Sequence, residues 1–571
     1  MKILFLTHSF NSLTQRLLIE LTRCGHEISI EFDINDATTE QAVTLYQPEL
    51  MIAPFLKRAI PETVWRRQPC FVVHPGIVGD RGPSALDWAI MQGRAQWGVT
   101  VLQANGEMDA GDIWAAETFP MQWVKKSSLY RHQVVETAVR AVLTAVARFQ
   151  SGKFKPQPLD YAQPEVRGRL QAPIRQTDRA IDWARDDTVT VLKKIHAADG
   201  FPGVLDTFDK ETYYLFDACA EDTLRGDQPG AIIAKRNGAI CRATLDGAIW
   251  IGHLKRKING EPGLKLGASQ ILKHHLDEVP EVPFDPFSSD CGETYRDIWF
   301  EQKNDVGYLH FAFYNGAMDS HQCERLREVY QAATRRNIRV IVLMGGPDFW
   351  SNGIHLNQIE QAASPADESW RNINAMNDLA QAIITTDQQL TMAALQGNAG
   401  AGGVFLSLAA DQVYARASVI LNPHYKSMGN LYGSEYWTYR LPRRVGQTKA
   451  RALTQNRLPI GAAEARDIGL VDNCFALDPV KFKQKIEQLA QALAHHPNYP
   501  ALLQKKVDQR RRDEQTKPLA AYRSEELRQM QLNFYGFDPS YHVARYHFVH
   551  KIPHAWTPLY LARHRRIRTS S

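Results

Sequence analysis

Gln396–Asp411, Gln-Gly-Asn-Ala-Gly-Ala-Gly-Gly-Val-Phe-Leu-Ser-Leu-Ala-Ala-Asp, is a glycine-rich turn running into an apolar helix. Glycines let a ligand approach the backbone closely. The N–H groups of a first helical turn have no acceptor within the helix and point at whatever occupies the turn. A thioester placed there finds an oxyanion hole already built for its carbonyl oxygen.

Around this stretch the pattern is that of an α/β unit. Tyr308–Phe313 and Val340–Met344 read as strands, Gln322–Arg336 as a helix, and Val480–Ala494 and Lys517–Phe534 as late helices. Further upstream, apolar runs at Lys2–Thr7, His26–Phe32, Leu50–Pro54 and Cys70–His74 alternate with helical spacing at Leu13–Arg23, which predicts a Rossmann-like parallel sheet wrapped by helices. No Gly-x-Gly-x-x-Gly follows the first strand, so a dinucleotide site has no support. A helix over Ser127–Gln150 closes this unit, and Thr177–Ile195 also reads as helical. Five short strands then follow between Val204 and Leu254, with turns at Asn237-Gly238 and Asp246-Gly247, suggesting a small OB-like barrel. Pro-rich stretches at Phe154–Pro164 and Asp277–Asp290 read as linkers. The expected domains are thus 1–165, 166–280 and 281–571, the last ending in helices.

Composition narrows the class. A net charge of +5 over 571 residues is mild; it suits small anionic substrates and does not point to nucleic acid. The basic tail Arg563–Arg568 reads as a solvated terminus. Seven scattered cysteines without Cys-x-x-Cys speak against a zinc site or a disulfide framework and for a reducing, cytoplasmic setting. Gln388–Ala410 carries no charge, but its glycines, Asn398 and glutamines fit a membrane span poorly. No metal site and no membrane are expected.

Chemistry-bearing residues fall in two groups. In the first, His74-Pro75-Gly76 ends a strand, where open α/β sheets place ligands. Asp109, in a glycine-flanked loop, can fold back on His74, and a carboxylate beside imidazole is suited to moving a proton. The full run His74, Arg81-Gly82-x-x, Gly98-Val99-Thr100 and Asp109-x-Gly111-Asp112 resembles the formyltetrahydrofolate-dependent formyltransferases, such as methionyl-tRNA formyltransferase. The resemblance implies that His74 and Asp109 are catalytic. The family's catalytic asparagine is replaced by Val72; Gln15 and Asn11, after the first strand, are candidates for its missing donor role and, with Arg81, for binding the folate. Ile181-Asp182-Trp183 and Phe201-Pro202-Gly203 resemble marks of the same family's C-terminal barrel.

The second group resembles the crotonase, or enoyl-CoA hydratase/isomerase, superfamily, whose fold is an α/β spiral. Asn315–Asp319, Trp350–Leu356, Gly397–Asp411, Asn422-Pro423-His424, Arg443–Gly446 and Ala462–Val471 carry the likeness in order. It implies coenzyme A binding by Ser351, Gly353, Ile354, Gly402 and Gly403, with the N–H groups of Ile354 and Gly402 as the oxyanion hole. The two hydratase glutamates are replaced by Phe405 and His424, so hydration is not expected. Candidate replacement acids and bases are His424, Tyr425, Glu435 and Tyr439. Glu435, in the apolar stretch Tyr432–Trp437, would exchange a proton near neutrality if buried.

Joined in this order, the halves resemble a family of hydrogenase maturation proteins. The resemblance implies formyl transfer from formyltetrahydrofolate to coenzyme A, then decarbonylation of formyl-CoA to carbon monoxide and coenzyme A for [NiFe]-hydrogenase, with the hydrogenase large-subunit precursor or its maturation proteins as partners. The competing reading is a formyltransferase acting on an amine, with a second half that only binds coenzyme A or docks the hydrogenase precursor.

Overall fold

The computed structural model describes residues 1–289 and 292–566. The chain forms two compact units, one made of residues 1–281 together with 553–571, the other of residues 282–552.

The first unit opens with a six-stranded sheet. Its strands are β1 (Lys2–Thr7), β2 (Glu27–Phe32), β3 (Leu50–Phe55), β4 (Cys70–His74), β5 (Gln96–Gln103) and β6 (Ile113–Pro120), in the order β2-β1-β3-β4-β5-β6. The first four run parallel; β5 and β6 are antiparallel additions. The apolar runs are buried, as a sheet covered on both faces demands. Helix Ser12–Arg23 starts at the carboxyl end of β1, capped by Asn11, whose Oδ1 accepts from Thr14 N at 3.0 Å.

The second part of this unit is an antiparallel sheet of β7 (Val204–Phe208), β8 (Glu211–Glu221), β9 (Ile232–Arg236), β10 (Ala239–Ala243), β11 (Ala248–Ile258) and β12 (Glu261–Gly267), in the order β7-β8-β11-β10-β9, with β12 also on β11. The sequence pattern revealed five of these strands and missed β12. The expected helix Thr177–Ile195 is corrected: a single 3-10 turn at Thr177–Arg179 is followed by a helix only at Thr188–Ala198. Asp187 sets the later start, its carboxylate accepting from Thr190 N at 2.8 Å.

Two expectations about connections also change. The expected linker Phe154–Pro164 is held to the sheet: Gln157 exchanges main-chain hydrogen bonds with Ile113 at 2.7 and 3.1 Å, and Tyr161 Oη donates to Gly79 O at 3.0 Å in the loop after β4. The basic tail is only partly solvated: Arg563 and Arg566 are exposed, while His564 and Arg565 are docked. Residues from 553 onward belong to the first unit, and the domain expected at 281–571 therefore ends near Ile552. Buried Glu31 of β2 receives His564 Nε2 at 2.8 Å and Arg565 Nε at 2.6 Å, and Thr557 Oγ1 donates to its other oxygen. Arg568 lies outside the described residues.

The second unit has a six-stranded sheet in the order Ile298–Lys303, Val306–Phe311, Val340–Gly345, Leu390–Leu395, Gln412–Arg416, Asn473–Phe475. All pairs but the first are parallel. A smaller sheet of Phe349–Ser351, Asn398–Gly400, Ile420–Asn422 and Ile460–Gly461 lies beside it in the chain's spiral. Two of the parallel strands, Val340–Gly345 and Leu390–Leu395, end at glycine turns, the second leading into the short strand Asn398–Gly400 and the Gly402 helix. Beyond the expected late helices, the unit carries helices Tyr499–Thr516 and Ser540–Val549.

Candidate functional site

In the first unit, β4 delivers His74 to its carboxyl end, almost fully buried. Two carboxylates flank the ring. Asp80 Oδ2 lies 2.8 Å from Nε2, and Asp109 Oδ2 lies 3.6 Å from Nδ1, beyond hydrogen-bond reach. The sequence reading missed Asp80; its only signal was the position just before Arg81-Gly82. Asp80 is 2% exposed and its second oxygen has no hydrogen-bond partner among the described residues. Burial pushes its carboxyl above the usual range, a shift that the bond to His74 opposes. Gly76 is obligatory here: a Cβ would sit 2.4 Å from His74 Nε2 and 2.5 Å from Asp80 Oδ2. Asp109 adopts a left-handed backbone (φ +57°), and the oxygen facing His74 also accepts from Gly82 N at 3.2 Å.

The three folate candidates have local roles in this structure. The Arg81 guanidinium is committed to the Asp109 loop, donating to Met108 O at 3.0 Å and to Glu107 at 2.7 Å. It fixes that loop against His74, where the sequence suggested a hand on the ligand. Asn11 caps its helix and donates to Tyr130 Oη at 3.3 Å; Gln15 Nε2 donates to Phe10 O at 2.8 Å. Both sit where β1 ends.

In the second unit the Gln396–Asp411 stretch folds as a short strand, Asn398–Gly400, and the helix Gly402–Ser407. Ala401 caps that helix in a positive-φ conformation (φ +47°, ψ −127°) unusual for a residue with a side chain. Its N–H donates to Asn422 O at 2.9 Å, which locks the turn. Gly353 comes so close that a Cβ on it would lie 3.3 Å from Gly402 N, so the main chain just before Ile354 packs against the start of the Gly402 helix. Ser351 is buried in the wall: its hydroxyl accepts from Gly353 N at 3.2 Å and lies 3.4 Å from Met318 Sδ. Gly403 packs on the Ser351 carbonyl.

Glu435 is brought to this turn from the loop after residue 422. It is 1% exposed, and a Cβ on Gly402 would sit 2.5 Å from its Oε1. That oxygen has no hydrogen-bond partner among the described residues. The other oxygen receives the Tyr425 hydroxyl, which also lies 3.0 Å from Ser434 O. Burial, reinforced by the nearby Glu526 carboxyl and opposed by the bond from Tyr425, pushes Glu435 up to about 8. Phe405, at one lost hydratase position, is fully buried and stacks on Tyr425 with ring centroids 5.1 Å apart. His424, at the other, is buried with neither ring nitrogen hydrogen-bonded among the described residues; burial lowers it to about 4, so it is neutral at pH 7. No hydrogen bond joins it to Glu435 or Tyr425 among the described residues.

Tyr439 does not belong to this group. Its hydroxyl is held by Asp513 at 2.8 Å and Arg510 at 2.6 Å. It lines a separate cavity of about 370 Å³ with Arg440, Arg443 and Lys506, which contains neither Gly402 nor Glu435. Two further residues that touch the Glu435 turn, Asn377 and Glu526, were not foreseen. They arrive from helices Pro365–Ile384 and Leu519–Tyr535, and nothing in the sequence linked them to it.

Fold and site together define a formyltransferase module followed by a crotonase-fold module. Comparison with known proteins agrees: residues 31–146 match the family model "Formyl transferase", residues 173–263 "Formyl transferase, C-terminal domain", and residues 313–556 "Enoyl-CoA hydratase/isomerase". The methionyl-tRNA formyltransferase of Desulfotalea psychrophila is 25% identical over 245 residues, 41% of this chain and 74% of that one. The hydrogenase maturation factor HoxX of Bradyrhizobium diazoefficiens is 54% identical over 565 residues, 99% of this chain and 97% of that one. The crystal structure of HypX from Aquifex aeolicus in complex with tetrahydrofolic acid superposes with a TM-score of 0.96 at 47% identity, covering 100% of both chains. The chain belongs to the HoxX/HypX family of hydrogenase maturation factors.

Proposed function

We propose that this protein makes carbon monoxide for hydrogenase maturation in two redox-neutral steps. In the first, the formyl group of formyltetrahydrofolate passes to the thiol of coenzyme A. The amine nitrogen of the folate leaves with a proton and a thioester C–S bond forms. His74, held between Asp80 and Asp109, is the group that moves the proton. That a relative binds tetrahydrofolate supports a folate donor here.

In the second step formyl-CoA loses carbon monoxide. The thioester has no α-carbon, so enolate chemistry is closed to it. The formyl C–H proton goes to a base, the C–S bond breaks, carbon monoxide departs, and the thiolate takes the proton back. Glu435 is the base: its unpartnered Oε1 lies against Gly402, where the main-chain N–H groups would hold the carbonyl oxygen. Tyr425 holds the other oxygen and can return a proton through it. Phe405 excludes water, which would otherwise divert the thioester to formate.

The buried Glu435 carboxyl at the glycine turn carries this reading. Headspace analysis for labelled carbon monoxide from labelled formyltetrahydrofolate, with and without coenzyme A, tests it. Gas is expected only with coenzyme A present. Glu435→Gln is expected to stop release while coenzyme A still binds; undiminished release in that variant removes Glu435 from the mechanism.

A further inference from the structure

Glu435 stands on a turn that the chain would not adopt unaided. Glu435 and Tyr436 both have left-handed backbones, at φ +60° and +59°, a region that residues with side chains avoid. Two buried side chains from distant helices hold it. Asn377 Oδ1 accepts from Glu435 N and from Ser434 Oγ, both at 2.8 Å. Glu526, on helix Leu519–Tyr535, accepts from Tyr436 N at 3.0 Å, Thr438 N at 2.8 Å and Thr438 Oγ1 at 2.5 Å. Ser434 Oγ also lies 3.3 Å from Glu526, but its single proton is already given to Asn377. Glu526 has no exposed surface and forms no ion pair among the described residues. On a helix as rich in charged residues as this one a solvent-facing glutamate would be unremarkable; a fully buried one, whose oxygens are spent on Tyr436 and Thr438 just after Glu435, is not.

We propose that Glu526 is the positioning residue of the decarbonylation site, clamping the left-handed turn that aims Glu435 at Gly402 and holding a like charge behind it. This rests on the reading of Glu435 as the acid/base. Glu526 adds to the rise of Glu435, after burial itself. Burial pushes Glu526 up as well, to about 7, against the pull of its donors on Thr438 and Tyr436. The other titratable groups facing this pair are Tyr425 and Tyr432 from the preceding loop, Cys323 from helix Ser320–Thr334, Tyr436 on the turn itself, and Arg523 and Asp378 beyond it. None of them is a cation in contact with Glu435, so the charge behind it is set by Glu526.

The test uses the full chain and the isosteric Glu526→Gln. Its amide oxygen keeps an acceptor for Thr438 but carries no charge. Two readouts are taken: the pH profile of carbon monoxide release, and titration of the Glu435 carboxyl by difference infrared spectroscopy, with Glu435→Gln identifying its band. Coenzyme A binding by calorimetry is expected to stay at the wild-type level. Both the profile and the band are expected to move toward acid by about one pH unit, because a like charge is gone. Thr438→Val, which removes one donor and leaves the charge site in place, is expected to move both in the same direction by less, since Glu526 then holds its proton more strongly. Coincidence of both readouts with wild type in Glu526→Gln and Thr438→Val overturns the proposal and leaves Glu526 a plain core residue. If the wild-type protein releases no carbon monoxide yet its Glu435 band shifts in Glu526→Gln, the clamp stands and the decarbonylation reading falls.

Discussion

The protonation of Glu435 has a consequence for stability that does not depend on any catalytic role. Its carboxyl ordinarily titrates at 4.5 and in the fold at about 8. Below 4.5 both folded and unfolded chains carry the proton and the group is silent. Above it the unfolded chain gives up the proton while the folded one keeps it, so stability falls as pH rises until the folded group also ionises near 8. At 1.36 kcal/mol per unit, an interval of about 3.5 units amounts to about 5 kcal/mol, and to about 3 kcal/mol at pH 7. Glu435→Gln removes this liability while its amide can still accept from Tyr425. The variant and wild type should therefore be nearly equal at about pH 5, and the variant should be the more stable by several kcal/mol at about pH 9. Denaturant midpoints of the full chain, followed by tryptophan fluorescence across that range, measure the difference. A gap between the two proteins that does not change with pH would mean that Glu435 ionises normally, and the argument for it as a near-neutral base would go with it.

Three further outcomes are expected. If Glu435 acts ionised, carbon monoxide release should climb about tenfold per pH unit below about 8 and level off above it; a flat profile contradicts this. Asp80→Asn should cut formyl consumption from formyltetrahydrofolate by about two orders of magnitude, as loss of a proton-transfer partner does, leaving the fold intact by circular dichroism; normal consumption would make Asp80 a bystander. His564→Ala should destabilise the first unit by about 3 kcal/mol by stripping a partner from a buried carboxylate. Burial alone would push Glu31 up, but hydrogen bonds from His564, Thr557 and Arg565 hold it below the usual range, so its contribution is present at neutral pH and lost in acid. An unchanged neutral-pH denaturation midpoint for the first unit in His564→Ala would show that the tail contributes nothing.

Most strands were legible because burial on both faces writes itself as unbroken apolar runs: Lys2–Thr7 and Cys70–His74 were placed to the residue. Errors came where polar residues decide. Thr177–Ile195 has helical spacing, but Asp187 offers its carboxylate to Thr190 N and starts the helix eleven residues late. The strand β12, Glu261–Gly267, carries Glu, Pro, two Gly and two alternating leucines, and so reads as a loop. The tail Arg563–Arg566 looked like a solvated run because the buried Glu31 that receives it lies more than 500 residues away.

The sites show the same division at finer scale. His74, Asp109, Gly402 and Glu435 sit on turns whose local sequence announces them, by a strand end, by glycines, or by a carboxylate among aromatics. Asp80, Asn377 and Glu526 act through space, and each has an ordinary structural reading in one dimension. At this turn Gly402 leaves room for the Glu435 oxygen, and Ala401 caps the helix with a positive φ. Phe405 and His424, at the positions that the sequence reading assigned to the two hydratase glutamates, are a buried phenyl ring and an imidazole that burial keeps uncharged. Under the proposed reaction, the near-neutral Glu435 carboxyl beside Gly402 is matched to removing a single proton from a substrate that has only one to give. Gly402→Ala tests that match directly. Its Cβ would meet Glu435 Oε1 at 2.5 Å, so the carboxyl must turn away; release should fall about 100-fold. Full activity in that variant would mean that the carboxyl and the turn do not share a reacting group.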